Sequence, residues 1–126
     1  MSKILNDHVP APSRGADLLG WSQRRVGGAY VIFLAGELDL ATAPELRSRL
    51  MSVAETSTAA VLMLNLSQVH FIDAKSAGII ACAREAAGSH GTLLQVDGLH
   101  GVPKVVFDVL GLTPLLAGDG GRDPLD

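Results

Sequence analysis

Val61-Leu62-Met63-Leu64-Asn65-Leu66-Ser67-Gln68-Val69-His70-Phe71-Ile72-Asp73-Ala74-Lys75-Ser76-Ala77-Gly78-Ile79-Ile80 is the stretch on which the rest of the chain turns. It opens as an apolar run of strand length, Ala60 to Leu66, uniform except for Asn65, and passes through a short polar turn. It then releases Asp73 and a small-residue cluster at the head of a helix predicted over Ser76–Ala87. A buried strand feeding a helix N-terminus gathers unpaired N–H groups, a positive dipole end and short side chains at one point.

Outward from this stretch the pattern alternates. Upstream, Leu18–Val26 reads as an edge-like strand closed by Gly27-Gly28, and Ala29–Gly36 as a second strand forming a hairpin with it. Ala29–Gly36 is so apolar that a strand covered on both faces is expected. Gly36-Glu37-Leu38-Asp39 ends it, and a helix of about ten residues comes next, with Pro44 and Glu45 suited to its first turn and Leu46, Leu50 and Val53 on one face. Glu55–Thr58 is a polar loop. Downstream, Gly88-Ser89-His90-Gly91 stops the second helix. Thr92–Asp97 reads as a strand, Val102–Leu110 as a third helix stopped by Gly111, and Leu112–Leu116 as a short last segment. Strand, strand, helix, strand, helix, strand, helix implies an α/β fold, with a mainly parallel sheet after the hairpin and right-handed crossovers. In such sheets functional groups collect where strands end and helices begin. Asp39 with Thr42, and Asp73 with Ser76, are the clusters at such ends.

The 126 residues make one domain with a sizeable core, expected over residues 19–117 between loose tails at 1–18 and 118–126. A net charge of −3 supplies no basic stripe for nucleic acid. Cys82 is the single cysteine, so a disulfide or a cysteine zinc cluster is not available within the chain, and within its alanine-rich helix it reads as a small core residue. His8, His70, His90 and His100 are scattered without metal-ligand spacing, so neither a metal nor a cofactor is expected. The first residues lack a secretory core, and no stretch approaches the length of a membrane span, so a cytoplasmic protein is expected.

Catalysis by Asp39, Asp73 and Ser76 would need a base within reach of the hydroxyl. His70 is near in sequence, but Ala-Lys-Ser-Ala-Gly is not a nucleophile elbow, and no phosphate-binding glycine loop is present. The chain is read as a non-enzyme. Asp73 is expected to cap its helix. Ala74, Ser76, Ala77 and Gly78 have two readings: close packing of the helix on the sheet, or a shallow open patch for a partner.

Three stretches together resemble the STAS-domain family, and within it the stand-alone anti-sigma factor antagonists (anti-anti-sigma factors). Gly36-Glu37-Leu38-Asp39 followed by Ala-Thr-Ala-Pro-Glu-Leu resembles the family's first signature and helix. Leu64-Asn65-Leu66-Ser67-x-Val-x-Phe71-Ile72-Asp73 resembles its central run, and Val105-x-Phe107-x-x-Leu110-Gly111-Leu112 its closing helix. The resemblance implies a STAS fold and a protein that binds an anti-sigma factor, itself a serine-protein kinase, to free a sigma factor and so regulate transcription. In the family the serine after the aspartate is phosphorylated by that kinase, which blocks binding. A phosphoryl group there would add about −1.5 to −2 of charge beside Asp73.

Aligned without a gap, which keeps Ile79-Ile80 in register, Ala74 stands where the phosphoserine would be, Ser76 replaces the first glycine and Gly78 matches the second. Shifting the glycine by two would put Ser76 in the phosphoserine place, which makes it the candidate phosphorylation site, at the cost of an insertion. Three outcomes stay open: constitutive binding, a displaced site at Ser76, or regulation elsewhere, for instance at Thr42 or Ser67. The contact surface expected is Asp39, Thr42, Asp73, Ala74, Lys75, Ser76, Ala77 and Gly78. A ligand- or nucleotide-sensing STAS module, or an interaction subunit of a transport or signalling assembly, are the alternative functions.

Overall fold

The computed structural model describes residues 19–117, so the tails expected at 1–18 and 118–126, and Leu18 of the first strand, lie outside the described residues. The chain runs β1 (Gly20–Val26), β2 (Ala29–Leu38), α1 (Ala43–Thr56), β3 (Val61–Ile72), α2 (Ala74–Gly88), β4 (Leu93–Asp97) and α3 (Gly101–Val109). A single 3₁₀ turn at Thr113–Leu115 comes after α3. The strands form one sheet in the order β1-β2-β3-β4. β1 is antiparallel to β2, and the β2–β3 and β3–β4 pairs are parallel. This is the mixed α/β sheet that the alternation implies.

Both crossovers step the same way across the sheet, so right-handedness places α1 and α2 on one face, where they pack on each other. Ile32, Leu34, Leu62, Leu64, Leu66, Leu94 and Val96 point into that layer and are buried with Leu46 and Leu50 of α1 and Ile79, Ile80 and Ala83 of α2. α3 packs against β3 and touches α2, and Phe107 enters the same core. The expectation that β2 is covered on both faces is corrected. Val31 and Phe33, on its other face, are only half-buried, as are Val61 and Met63 of β3. Helices cover one side among the described residues, and the outer side is apolar without being sealed.

A second correction concerns β3. The predicted polar turn after Leu66 is strand, continuous to Ile72. Phe33 pairs with Asn65 but Ala35 with Gln68, and Gly36 pairs with Val69 but Glu37 with Phe71. β3 thus carries two bulges, each one residue longer than the β2 segment it faces. The inward residues Leu62, Leu64 and Leu66 are spaced by two, and Val69 and Ile72 by three. Each bulge reverses the facing of the residues beyond it, and the two together restore it. The first is held locally: Asn65 Oδ1 accepts from the Ser67 N–H at 3.0 Å and from the Ser67 hydroxyl at 2.6 Å. β2 likewise continues beyond Gly36, whose φ of +107° suits only glycine.

Candidate functional site

β2 ends at Leu38 and β3 at Ile72, a register pair, so the two sequence clusters meet side by side. The Asp73 N–H donates to the Leu38 carbonyl at 3.0 Å and ties them. On the β2 side, Asp39 Oδ1 accepts from the N–H groups of Ala41 at 3.0 Å and Thr42 at 3.3 Å, an Asx turn into α1. Thr42 is buried; its hydroxyl donates to the Glu37 carbonyl at 2.9 Å and accepts from the Asp39 N–H at 3.0 Å. These two residues therefore shape the loop, and Thr42 faces inward.

On the β3 side, Asp73 is the N-cap of α2. Its backbone is extended, and Oδ1 accepts the Ser76 N–H at 2.8 Å. The first residues of α2 divide by helical phase. Ala74, Lys75 and Gly78 are exposed, whereas Ser76 and Ala77 are fully buried. The small residues split into a buried and an exposed subset. Ala77 lets α2 lie close on the sheet, while Ala74 and Gly78 leave a flat surface, with nothing within 4 Å of a Cβ placed on Gly78.

Ser76 Oγ has no hydrogen-bond partner among the described residues. A buried hydroxyl is out of a kinase's reach unless the first turn of α2 opens. His70 lies exposed on β3, and no hydrogen bond joins it to Ser76. Cys82, expected in the core, is exposed on α2, because it falls on the Ala74–Gly78 face one turn further along. The helix can be small-sided outward as well as inward, which composition alone does not distinguish.

Sequence reasoning missed the apolar rim. Leu40 follows Asp39 and is 72% exposed, and Phe71 precedes Asp73's neighbour Ile72 and is 40% exposed. α3 buries Pro103 and Phe107 but leaves Val102, Val105 and Val109 in water, at i, i+3 and i+7. A nine-residue helix needs only one apolar stripe, so the surplus valines were the available signal. Leu40 and Phe71 lie at the ends of β2 and β3 that carry Ala74, whereas α3 begins beside Ser67, whose carbonyl oxygen is 3.0 Å from His100 Nε2.

No helix of the described residues is long and apolar enough to cross a membrane. Three solved structures share the fold. An anti-sigma factor antagonist from Mycobacterium paratuberculosis is 22% identical, with 83% of this chain and 87% of that one covered and a TM-score of 0.70. The Bacillus cell fate determinant SpoIIAA in its phosphorylated form is 18% identical, with 79% and 92% covered and a TM-score of 0.60. A sulfate transporter family protein from Wolinella succinogenes is 21% identical, with 71% and 72% covered and a TM-score of 0.59. The family model for the STAS domain matches residues 21–119, nearly the whole of the described fold, and the chain belongs to the STAS-domain family.

Proposed function

We propose that this protein is an anti-sigma factor antagonist that binds a kinase-type anti-sigma factor through the N-terminal turn of α2, and that the family's phosphoserine is replaced by Ala74. The observation that carries the reading is the placement of Ala74: exposed, first in α2, directly after the capping Asp73. A side chain there is presented to whatever docks, yet it has no hydroxyl to modify. The nearest hydroxyl in α2, on Ser76, is buried. Binding is therefore constitutive with respect to phosphorylation at this turn. Exposed Leu40 and Phe71, beside Ala74, support a protein partner, since apolar side chains there gain most by being covered by another chain.

On this reading the protein is a cytoplasmic regulator of transcription and not an enzyme. The test is a binding titration against the host's histidine-kinase-like anti-sigma proteins, with and without ATP. Wild type should bind equally in both conditions, and Ala74→Glu, which puts a negative charge at the open position, should weaken binding at least tenfold. Equal binding by Ala74→Glu to every such protein would overturn the reading. The likeness to a sulfate transporter family protein supports the competing reading of an assembly subunit. Co-purification with a transporter and with no kinase would decide for it.

A further inference from the structure

The β1–α1 seam lies on elements that the proposed docking turn does not use. Alternation along Trp21-Ser22-Gln23-Arg24-Arg25 puts Trp21, Gln23 and Arg25 on the helix-bearing face of the edge strand β1. Opposite them, α1 presents Arg49, Ser52, Val53 and Thr56. Arg49 lies over the indole of Trp21, 4.5 Å from the ring centroid, and Arg25 lies 6.0 Å from the ring centroid of Tyr30. These are the only tryptophan and the only tyrosine of the chain. The Trp21 indole N–H donates to Gln23 Oε1 at 2.8 Å, which fixes the ring. Two open depressions result, of about 310 Å³ beside Trp21 and about 260 Å³ beside Tyr30, with Val53 as their shared wall.

No Asp or Glu lines either depression. Arg25 forms no ion pair among the described residues, and Arg49 pairs with Glu45 at 3.0 Å while both remain partly exposed. Arg49, stacked on Trp21, is oriented and shed of water on one side yet keeps in-plane N–H groups for a carboxylate, while Arg25 stands exposed beside Tyr30 with its guanidinium open to a second one. Tryptophan, tyrosine and arginine are also the side chains on which protein interfaces concentrate their energy. We infer that this groove binds an extended acidic peptide segment of another protein, whose two carboxylates lie four residues apart.

The spacing is set by the strand. Trp21 and Arg25 are four residues apart along β1, about 13 Å at 3.3 Å per residue. An extended peptide has the same rise, so its residues i and i+4 lie on one face and reach both arginines. On a helical peptide the same i, i+4 pair spans only about 6 Å, so that spacing goes with the extended form. The chain's net charge of −3 disfavours a long polyanion such as nucleic acid, which would be repelled beyond the groove.

Trp21, the sole tryptophan, reports on its own groove. The full chain is titrated with a capped heptapeptide carrying glutamate at its second and sixth positions and alanine or threonine elsewhere. A saturable change in Trp21 emission is expected below about 1 mM. Replacing both glutamates by glutamine should weaken binding about tenfold or more, and so should Arg25→Gln, whose exposed side chain is not needed for folding. Ala74→Glu should bind the peptide as wild type does, which separates this site from the proposed docking turn. No saturable change, equal binding of the glutamine peptide, or unchanged binding by Arg25→Gln would overturn the assignment. So would a dimer of the free protein that Arg25→Gln dissociates, since the groove would then hold a second copy.

Discussion

The main-chain N–H of Asp73 donates to the carbonyl of Leu38 at 3.0 Å, so the start of α2 is bonded to the end of the neighbouring strand as well as to its own. Through that bond the Asx turn at Asp39 and the cap at Asp73 are joined into one platform. Leu38 and Ile72, both fully buried, anchor it from below. The exposed Ala74, Lys75 and Gly78 are displayed on this platform.

Asp73→Ala removes the acceptor for the Ser76 N–H. The expected cost is about 1 kcal/mol of folding stability, the usual worth of an N-cap. Equilibrium urea unfolding followed by circular dichroism reads it. Asp73→Asn, which can still cap, should recover most of the loss, and equal destabilisation by both variants would show that the carboxylate acts other than as a cap.

Gly98 and Gly111 both adopt positive φ, +81° and +73°, but in different surroundings. A Cβ on Gly111 meets nothing within 4 Å, whereas one on Gly98 would stand 2.9 Å from the backbone nitrogen of Ser67. Gly111→Ala should therefore cost only the left-handed penalty, about 1 kcal/mol. Gly98→Ala must also displace the β3 bulge, and should cost roughly twice as much or more, read from the same unfolding curves.

Ser76→Ala deletes a buried hydroxyl that lacks a partner among the described residues. Leaving such a group unbonded costs about 1–3 kcal/mol, so the alanine variant should be as stable as wild type or up to about 1 kcal/mol more stable. It should bind the anti-sigma partner unchanged. Ser76→Glu, by contrast, forces a charge into the core and should lower the melting temperature sharply, whereas Ala74→Glu should not. Mass spectrometry after incubation with kinase and ATP should find no phosphate on either residue 74 or residue 76.

Val105 and Val109 of α3 are 58% and 77% exposed. Replacing both by asparagine should leave the unfolding free energy within about 0.5 kcal/mol per site of wild type, as for ordinary surface changes. If α3 belongs to the partner surface, affinity for the anti-sigma protein should fall several-fold. Unchanged affinity would confine the interface to the α2 turn and the residues beside it.

Much of this architecture is legible in the residues themselves. The order of elements comes from alternating apolar runs and glycine stops, and the cap at Asp73 from its place before a helix. The C-terminal half of β3 was hidden because strand is recognised by a period of two. At Leu66, Val69 and Ile72 the period becomes three, so the pattern imitates a turn. The half-exposed outer face of β2 was hidden for the opposite reason: Val31 and Phe33 are as apolar as buried Ile32 and Leu34, which erases the alternation that reveals an open side. At the site, Ala74 and Ala77 have the same side chain, and only helical phase fixes which one meets solvent. That phase depends on the cap, and the cap on where β3 ends.

The paired bulges of β3 set a rule for length as well as for shape. Losing one residue from either bulge would remove that bulge's reversal together with its extra residue, so Val69 and Ile72 would both still face the core and Asp73 would keep its place beside Leu38. Losing two, one from each bulge, would keep every facing and only shorten the reach to the helix. Descendants of this chain can thus shorten this segment by one residue per bulge, whereas a residue lost from the regular run at residues 61–66 would turn the side chains beyond it to the other face.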